Sequence, residues 1–186
     1  MVLSDKDIKI NINTGKITIE RDGDLYIGPS SVDLHLSGEA KVFLDKNKEN
    51  GSVIDTKKDN SSFVKTFSFE DSIIIKPGEF YLLSTEEKIT FGDKIAGFLQ
   101  GRSSLARIGL NIHNAGYFDA GFSGTATLEV TNFTKCPIVL YKGMRICQMV
   151  FVELSSKCEV PYGKKADQKY QNQKSPKESA IHKDNE

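Results

Sequence analysis

The chain has 186 residues, and its 25 Lys and Arg cancel its 25 Asp and Glu. That length suits one domain with a real core and a short tail, while neutrality removes any general electrostatic grip on nucleic acid or anionic lipid. Apolar runs fall far short of the roughly 20 residues that span a bilayer, and the opening "MVLSDKDIKI" has no signal-peptide core, so a cytoplasmic protein with no membrane partner is expected.

In chain order, Ser4 stands as an N-cap before "DKDIKINI", whose acidic first turn is followed by Ile8 and Ile12, and a short N-terminal helix is expected there. Beyond it the chain reads as strands: "GKITIE", "SVDLHLS", "AKVFLD", "SIIIKP", "EFYLLST", "KIAGFLQG", "GTATLEVTN", "PIVLY" and "CQMVFVEL". They are rich in β-branched and aromatic residues and are separated by Gly, Pro, Asn and Asp, which predicts a mainly β fold, a sandwich or barrel. Residues 45–62 are polar and aperiodic, an exposed loop. "SSLARIGL" predicts one or two helical turns, and "AGYFDAGFSG", with glycines at 116, 121 and 124, predicts a tight hairpin. From residue 161 the chain is Lys-rich and nearly free of aliphatic side chains, which by composition reads as disordered. Its Tyr162, Tyr170 and Gln173 raise the alternative of a segment that orders over a ligand. Cys136, Cys147 and Cys158 form no C-x-x-C pair and have no His at ligand spacing, so they read as reduced, partly buried thiols rather than zinc ligands.

Several side chains invite a chemical reading. "GRSSLAR" offers Gly101 for close backbone approach, two hydroxyls and the guanidinium groups of Arg102 and Arg107, a set that suits phosphate oxygens. It equally suits an ordinary strand-to-helix turn. Asp119 beside Phe122 fits a sugar hydroxyl and the sugar's face, or else an Asx turn and a core ring. In "TATLEVTN", alternation sets Thr127, Glu129 and Thr131 opposite Leu128 and Val130. If the polar face lines a cleft, Glu129 is a desolvated carboxylate suited to proton transfer; if that face is solvated, it carries no chemistry. His113 reads as a structural histidine, and no G-x-S-x-G or H-E-x-x-H sequence is present.

Taken together, "VLSDKDI", "GPSSVDLHLS", "QGRSSLARIGL", "AGYFDAGFSG", "TLEVTN", "LYKGMRICQMVF" and "KYQNQKSPKESAIHKD" resemble the dCTP deaminase branch of the dUTPase superfamily over nearly the whole chain, least between residues 41 and 75. The resemblance implies a distorted jelly-roll β-barrel over residues 1–160, a nucleotide-covering tail over 161–186, and a homotrimer with active sites between subunits. It implies dCTP as substrate, with Mg²⁺ carried on the triphosphate rather than by protein ligands, and hydrolysis to dUTP and ammonia. Glu129 matches the general base, with Ser103 and Arg107 as its catalytic neighbours. Arg102 and Ser104 match phosphate-binding positions, Asp119 the 3′-hydroxyl position and Phe122 the deoxyribose position. Gln148 matches a site near the base, and Tyr162, Lys169, Tyr170 and Gln173 match the closing tail. In one respect the sequence departs from the deaminases: "HNAG" lacks their Thr, and Arg102 to Asp119 spans 17 positions, a spacing closer to the dUTPases. Two alternatives follow, a bifunctional enzyme that also forms dUMP and pyrophosphate, and a plain dUTP diphosphatase using Asp119.

Overall fold

The computed structural model describes residues 1–44, 53–112 and 116–184. Its first element is α1 (Asp5–Asn13), capped as its sequence dictates: the Ser4 hydroxyl oxygen accepts from the Asp7 amide at 3.3 Å and the hydroxyl donates to the Asp7 carboxylate at 2.7 Å. Ile8 is its fully buried anchor. Strands follow as β1 (Ile17–Glu20), β2 (Tyr26–Ile27), β3 (Val32–Phe43), β4 (Val64–Ser68), β5 (Ser72–Ile75), β6 (Phe80–Phe91) and β7 (Ile95–Gly101). A single helical turn, α2 (Ser103–Ala106), leads to β8 (Leu110–Ile112), β9 (Tyr117–Phe118), β10 (Ser123–Asn132), β11 (Ile138–Tyr141) and β12 (Arg145–Glu153). Among the described residues no helix is long and apolar enough to cross a membrane.

Ten strands form one curled antiparallel sheet in the order β8-β10-β6-β3-β12-β7-β9, with β1 on β6 and with β2 and β4 on β3. β11 and β5 pair separately. This is the distorted jelly-roll barrel, and the long strand β3 curls it. Its first residues pair with β12 and its later ones with β6 and β4, with a register shift between Leu36 and Ala40. Gly38 sits in that shift, where a Cβ would lie 2.6 Å from the carbonyl oxygen of Phe69; only glycine lets the backbones approach so closely. "SVDLHLS" and "AKVFLD", separate by their punctuation, are therefore one bent strand. The turn-rich stretch after residue 53 holds a further strand, β4, whose "VKTFS" is too polar to announce itself.

The core follows the alternation. Leu34 and Leu36 of β3, Leu83 and Ile89 of β6, Leu128 and Val130 of β10, Ile146 and Phe151 of β12 are all essentially without solvent exposure. Each such side chain is worth about 1.5–3 kcal/mol in transfer terms, enough in sum to fix the register of every strand that carries one. One polar cluster lies among them. Glu87 is fully buried and accepts from His35 Nδ1 at 2.6 Å and from the His35 amide at 2.8 Å, with Arg21 Nε at 3.2 Å. His35 is thus a paired structural residue.

The hairpin expected from "AGYFDAGFSG" does not form. β9 pairs with β7, whereas β10 pairs with β6 and β8. The turn between them is held by the end of β6 instead: the Phe91 amide donates to the Phe122 carbonyl at 2.9 Å and the Gly121 amide to the Phe91 carbonyl at 3.2 Å. Gly121, at φ +85°, supplies the left-handed step that this crossing requires.

Residues 161–184 lie folded against the barrel, so low aliphatic content has not left them without structure. Tyr162 packs on Phe122 at 5.7 Å, and its amide donates to the Ala120 carbonyl at 2.8 Å. Asn172 donates to the Ser123 carbonyl and receives company from Gln173, whose carbonyl accepts from the Thr125 amide, so the tail extends the start of β10 by a short run of strand-like bonds. Polar side chains that hydrogen-bond backbone replace the missing apolar anchors.

Candidate active site

The face of the sheet formed by β10, β6 and β3 is set out by register. Thr127 lies opposite Ser84, Glu129 opposite Leu82, and Thr131 opposite Phe80; on the next strand Lys41 lies opposite Leu82. Because Leu128 and Val130 fill the core, Thr127 and Glu129 must point the other way, and both line a cavity of about 620 Å³. Glu129 therefore sits half-buried in a cleft rather than on a fully solvated face.

The same cavity brings together Asp119, Phe122, Tyr162, Lys169, Tyr170 and Gln173. Asp119 comes from the turn after β9 and is exposed, while Phe122 is buried against Phe91 and Phe118. The turn at Asp119 is closed by backbone, Phe122 amide to Asp119 carbonyl at 3.1 Å. Asp119 and Tyr162 also border a second cavity of about 500 Å³, walled by Leu154, Cys158 and Val160. Gln173 is 5% exposed; its Nε2 donates to the Thr125 carbonyl at 2.6 Å and to Thr127 Oγ1 at 3.3 Å, while its Oε1 is buried with no hydrogen-bond partner among the described residues. The Tyr162 hydroxyl accepts from the amides of Lys169 and Tyr170 at 3.2 and 3.1 Å, which folds the tail into a loop over the cavity. Lys169 pairs with Asp184, and that hydrogen bond is the main reason its ammonium pKa is raised.

The Arg-Ser-Ser residues are elsewhere. Within one copy Arg102, Ser103, Ser104, Arg107 and Gln148 do not line the cavity that holds Glu129. Ser103, Ser104 and Arg107 lie exposed on or beside α2, whose buried anchor is Leu105. Arg102 is aimed by Asp33, at 3.6 Å, and donates to the Arg145 carbonyl at 3.2 Å; Arg145 reaches the same Asp33 oxygen at 3.1 Å and lies 4.2 Å over the Tyr26 ring. Gln148 accepts from the Ser31 hydroxyl at 3.2 Å in the neighbouring register position. Two arginines on one carboxylate leave this patch net positive.

Sequence reasoning missed Phe43, Phe80 and Leu82, and also Lys165, Asp167 and Lys177, all of which line the cavity with Glu129. The wall was legible in principle, since Phe80 and Leu82 alternate on the face opposite the fully buried Leu83. The charged residues carried no such signal, being ordinary members of a polar tail. His113, Asn114 and Ala115, the first three residues of "HNAG", lie outside the described residues. All three cysteines are free: Cys147 is buried, Cys158 half-buried and Cys136 exposed, so Cys136 departs from the partly buried expectation because it lies in the polar turn before β11. Among the described residues no group of three or more His, Cys, Asp or Glu is arranged to hold a metal ion.

Comparison with known proteins agrees with this architecture. The profile of the family described as dCTP deaminase-like matches residues 2–154. The chain is 43% identical over 187 residues to a protein of Dictyoglomus turgidum named "dCTP deaminase, dUMP-forming", covering 97% of this chain and 95% of that one. A protein of the same name from Methanothermobacter thermautotrophicus is 43% identical over 192 residues, covering 100% and 96%; one from Thermomicrobium roseum, named "dCTP deaminase", is 40% identical, covering 97% and 94%. Among solved structures, the 2′-deoxycytidine 5′-triphosphate deaminase from Agrobacterium tumefaciens superposes with a TM-score of 0.62 at 20% identity over 83% of this chain, which spans about half (48%) of that longer chain. On the family match and the relatives above 40% identity, the chain belongs to the dCTP deaminase-like family.

Proposed function

We propose that the protein hydrolyses dCTP, as its magnesium complex, at the C4–amino bond, in active sites completed between copies of the chain in a homotrimer. The observation that carries this reading is the division of the site: Glu129, Asp119, Phe122 and the tail gather round one cavity, while α2 presents Ser103, Ser104 and Arg107 outward in the same copy. Charge argues likewise. The cavity's own Lys165, Lys169 and Lys177 are balanced by Asp119, Glu129 and Asp167, so a bound triphosphate needs further cations. Arg102 and Arg107 of a neighbouring copy supply them.

In this reading Asp119 accepts from the 3′-hydroxyl and Phe122 packs on the deoxyribose. Arg102 and Ser104 hold phosphate oxygens, Gln148 lies near the base, and Tyr162, Lys169, Tyr170 and Gln173 close over the nucleotide. Glu129 takes a proton from water as the water oxygen bonds to C4, then returns it to the departing amine. One water is consumed and one ammonia released, leaving dUTP. Ser103 and Arg107 position that water and the carboxylate. Leu82 and Phe80 beside Glu129 keep bulk water from it, which raises the carboxylate's usefulness as a base.

A second reading is favoured by the names of the relatives described as dUMP-forming. In it the dUTP stays bound and water attacks the α-phosphorus, oriented by Asp119, giving dUMP and pyrophosphate. The deciding experiment supplies dCTP and Mg²⁺ and scores ammonia and pyrophosphate separately. Ammonia alone selects simple deamination, both together select the bifunctional reaction, and pyrophosphate from dUTP without ammonia from dCTP overturns the deaminase reading.

A further inference from the structure

Where the tail crosses the sheet, it touches the face at two points near Glu129, one on the same strand and one at the far end of the row that Glu129 begins. The Lys177 amide donates to Thr127 Oγ1 at 3.2 Å on β10, and the next residue, Glu178, pairs through its carboxylate with the ammonium of Lys41 on β3. Register puts Glu129, Leu82 and Lys41 in one row across β10, β6 and β3, with Thr127 one step along from Glu129 on the same face. Residues 177–178 therefore form a strap that joins β10 to β3 beside the row that holds the carboxylate.

We propose that the Lys41–Glu178 ion pair is the clasp of this strap, and that both are positioning residues for the reaction at Glu129. The proposal rests on the reading of Glu129 as the base. Two features distinguish the pair from an ordinary surface ion pair. The Lys41 side chain is only 14% exposed and that of Glu178 30%, whereas Lys165–Asp167 in the same tail shows 46% and 73%. A partly desolvated ammonium that loses its partner is left at a cost that an exposed one does not feel. The strap also has few other anchors: Pro176 is buried, the Tyr170 hydroxyl accepts from the Ala180 amide at 3.1 Å, and residues 174–179 otherwise offer only Lys, Ser and Glu. Without the pair, the segment beside Glu129 keeps only the Lys177–Thr127 bond to the sheet face, with Pro176 and the Ala180 amide holding it on either side, among the contacts of the described residues. Solvent then reaches the carboxylate during attack on C4, while the sugar and phosphate contacts of Asp119, Phe122 and Lys169 stay in place.

The test is a charge-swap cycle on the full-length protein: Lys41→Met, Glu178→Gln, and the double variant Lys41→Glu with Glu178→Lys. Ammonia release from Mg-dCTP gives kcat and KM, and hydrogen–deuterium exchange reports on residues 174–180. Each single change is expected to lower kcat about tenfold with a much smaller change in KM, and to speed exchange in that segment; the swap is expected to recover both. Glu178→Gln keeps the test open if Lys41→Met folds poorly, because Glu178 lies outside the barrel. Wild-type kcat in Glu178→Gln overturns the proposal. So does a swap that restores melting temperature and exchange but not kcat, since the pair would then be structural only. A fully active Glu129→Gln would sink the reading of the base while leaving the exchange result as it stands, so the two failures are distinguishable.

Discussion

Gln173 donates its side-chain amide to the carbonyl of Thr125 at 2.6 Å, tying a residue near the end of the chain to the strand that carries Glu129. The same side chain fills the space over Gly124, where a Cβ would come within 3.1 Å of it. Gln173→Leu keeps the bulk and removes both donated hydrogen bonds. A lost buried bond costs about 1–3 kcal/mol, so KM for dCTP is expected to rise roughly tenfold or more while the barrel's melting temperature changes by a few degrees. Steady-state kinetics beside a thermal melt checks both.

Glu129→Gln preserves shape and removes the proton acceptor. Ammonia release is expected to fall by about three orders of magnitude or more, with nucleotide binding by calorimetry within a few-fold of wild type. Turnover within tenfold of wild type would take Glu129 out of the mechanism.

If each active site takes Glu129 from one copy and α2 from another, two inactive chains can rescue each other. Glu129→Gln and Arg107→Ala proteins, dissociated and reassembled together at equal amounts, are expected to recover about a quarter of wild-type activity, the chance that a site draws both intact halves. A mixture as inactive as its parents means the two halves belong to one copy.

Burial pushes the Cys147 thiol well above its usual range, with the nearby carboxylates of Glu87 and Asp33 adding to the effect. The thiolate is the reactive form. In the folded protein at pH 8.5 an alkylating reagent is therefore expected to label exposed Cys136 and to spare Cys147, as read by peptide mass spectrometry. Labelling at equal rates would mean that β12 opens readily.

Acid should release the strap late. Burial alone would raise the carboxyl of Glu178, but the hydrogen bond and charge of Lys41 outweigh it, and the pKa is lowered from 4.5. A folded-state pKa below the unfolded one stabilises the docked form above the unfolded value, and that stability is lost as pH falls through the folded value. Exchange protection of residues 174–180 is expected to hold at pH 5 and to fail only below about 4.5. In Glu178→Gln the protection is lower throughout and this acid transition disappears.

Much of the scaffold is legible without coordinates, because alternation and capping are local physics. Ser4 and Asp7 announce the start of α1, and Leu128 and Val130 on one side fix Glu129 on the other. β4 escaped notice because "VKTFS" buries little, and the hairpin at Asp119 failed because glycine spacing reports a turn without reporting which strands the turn connects. The tail misled for a related reason. Composition measures how much apolar surface a segment can bury, but Gln171, Asn172 and Gln173 are held by hydrogen bonds to the backbone of β10 and its approach, which composition does not count.

By itself, then, the sequence determined the β class, the strand faces and the presence of Glu129, Asp119 and the Arg-Ser-Ser run, since each depends on neighbours a few positions away. Only the tertiary structure decided that Glu129 faces a cavity rather than open solvent, that the residues of α2 do not line that cavity, and that Lys41 and Glu178, 137 positions apart, meet across the sheet. Those facts depend on which strands pair and where β3 bends, and pairing between distant segments is set by the packing of the whole core rather than by any local pattern.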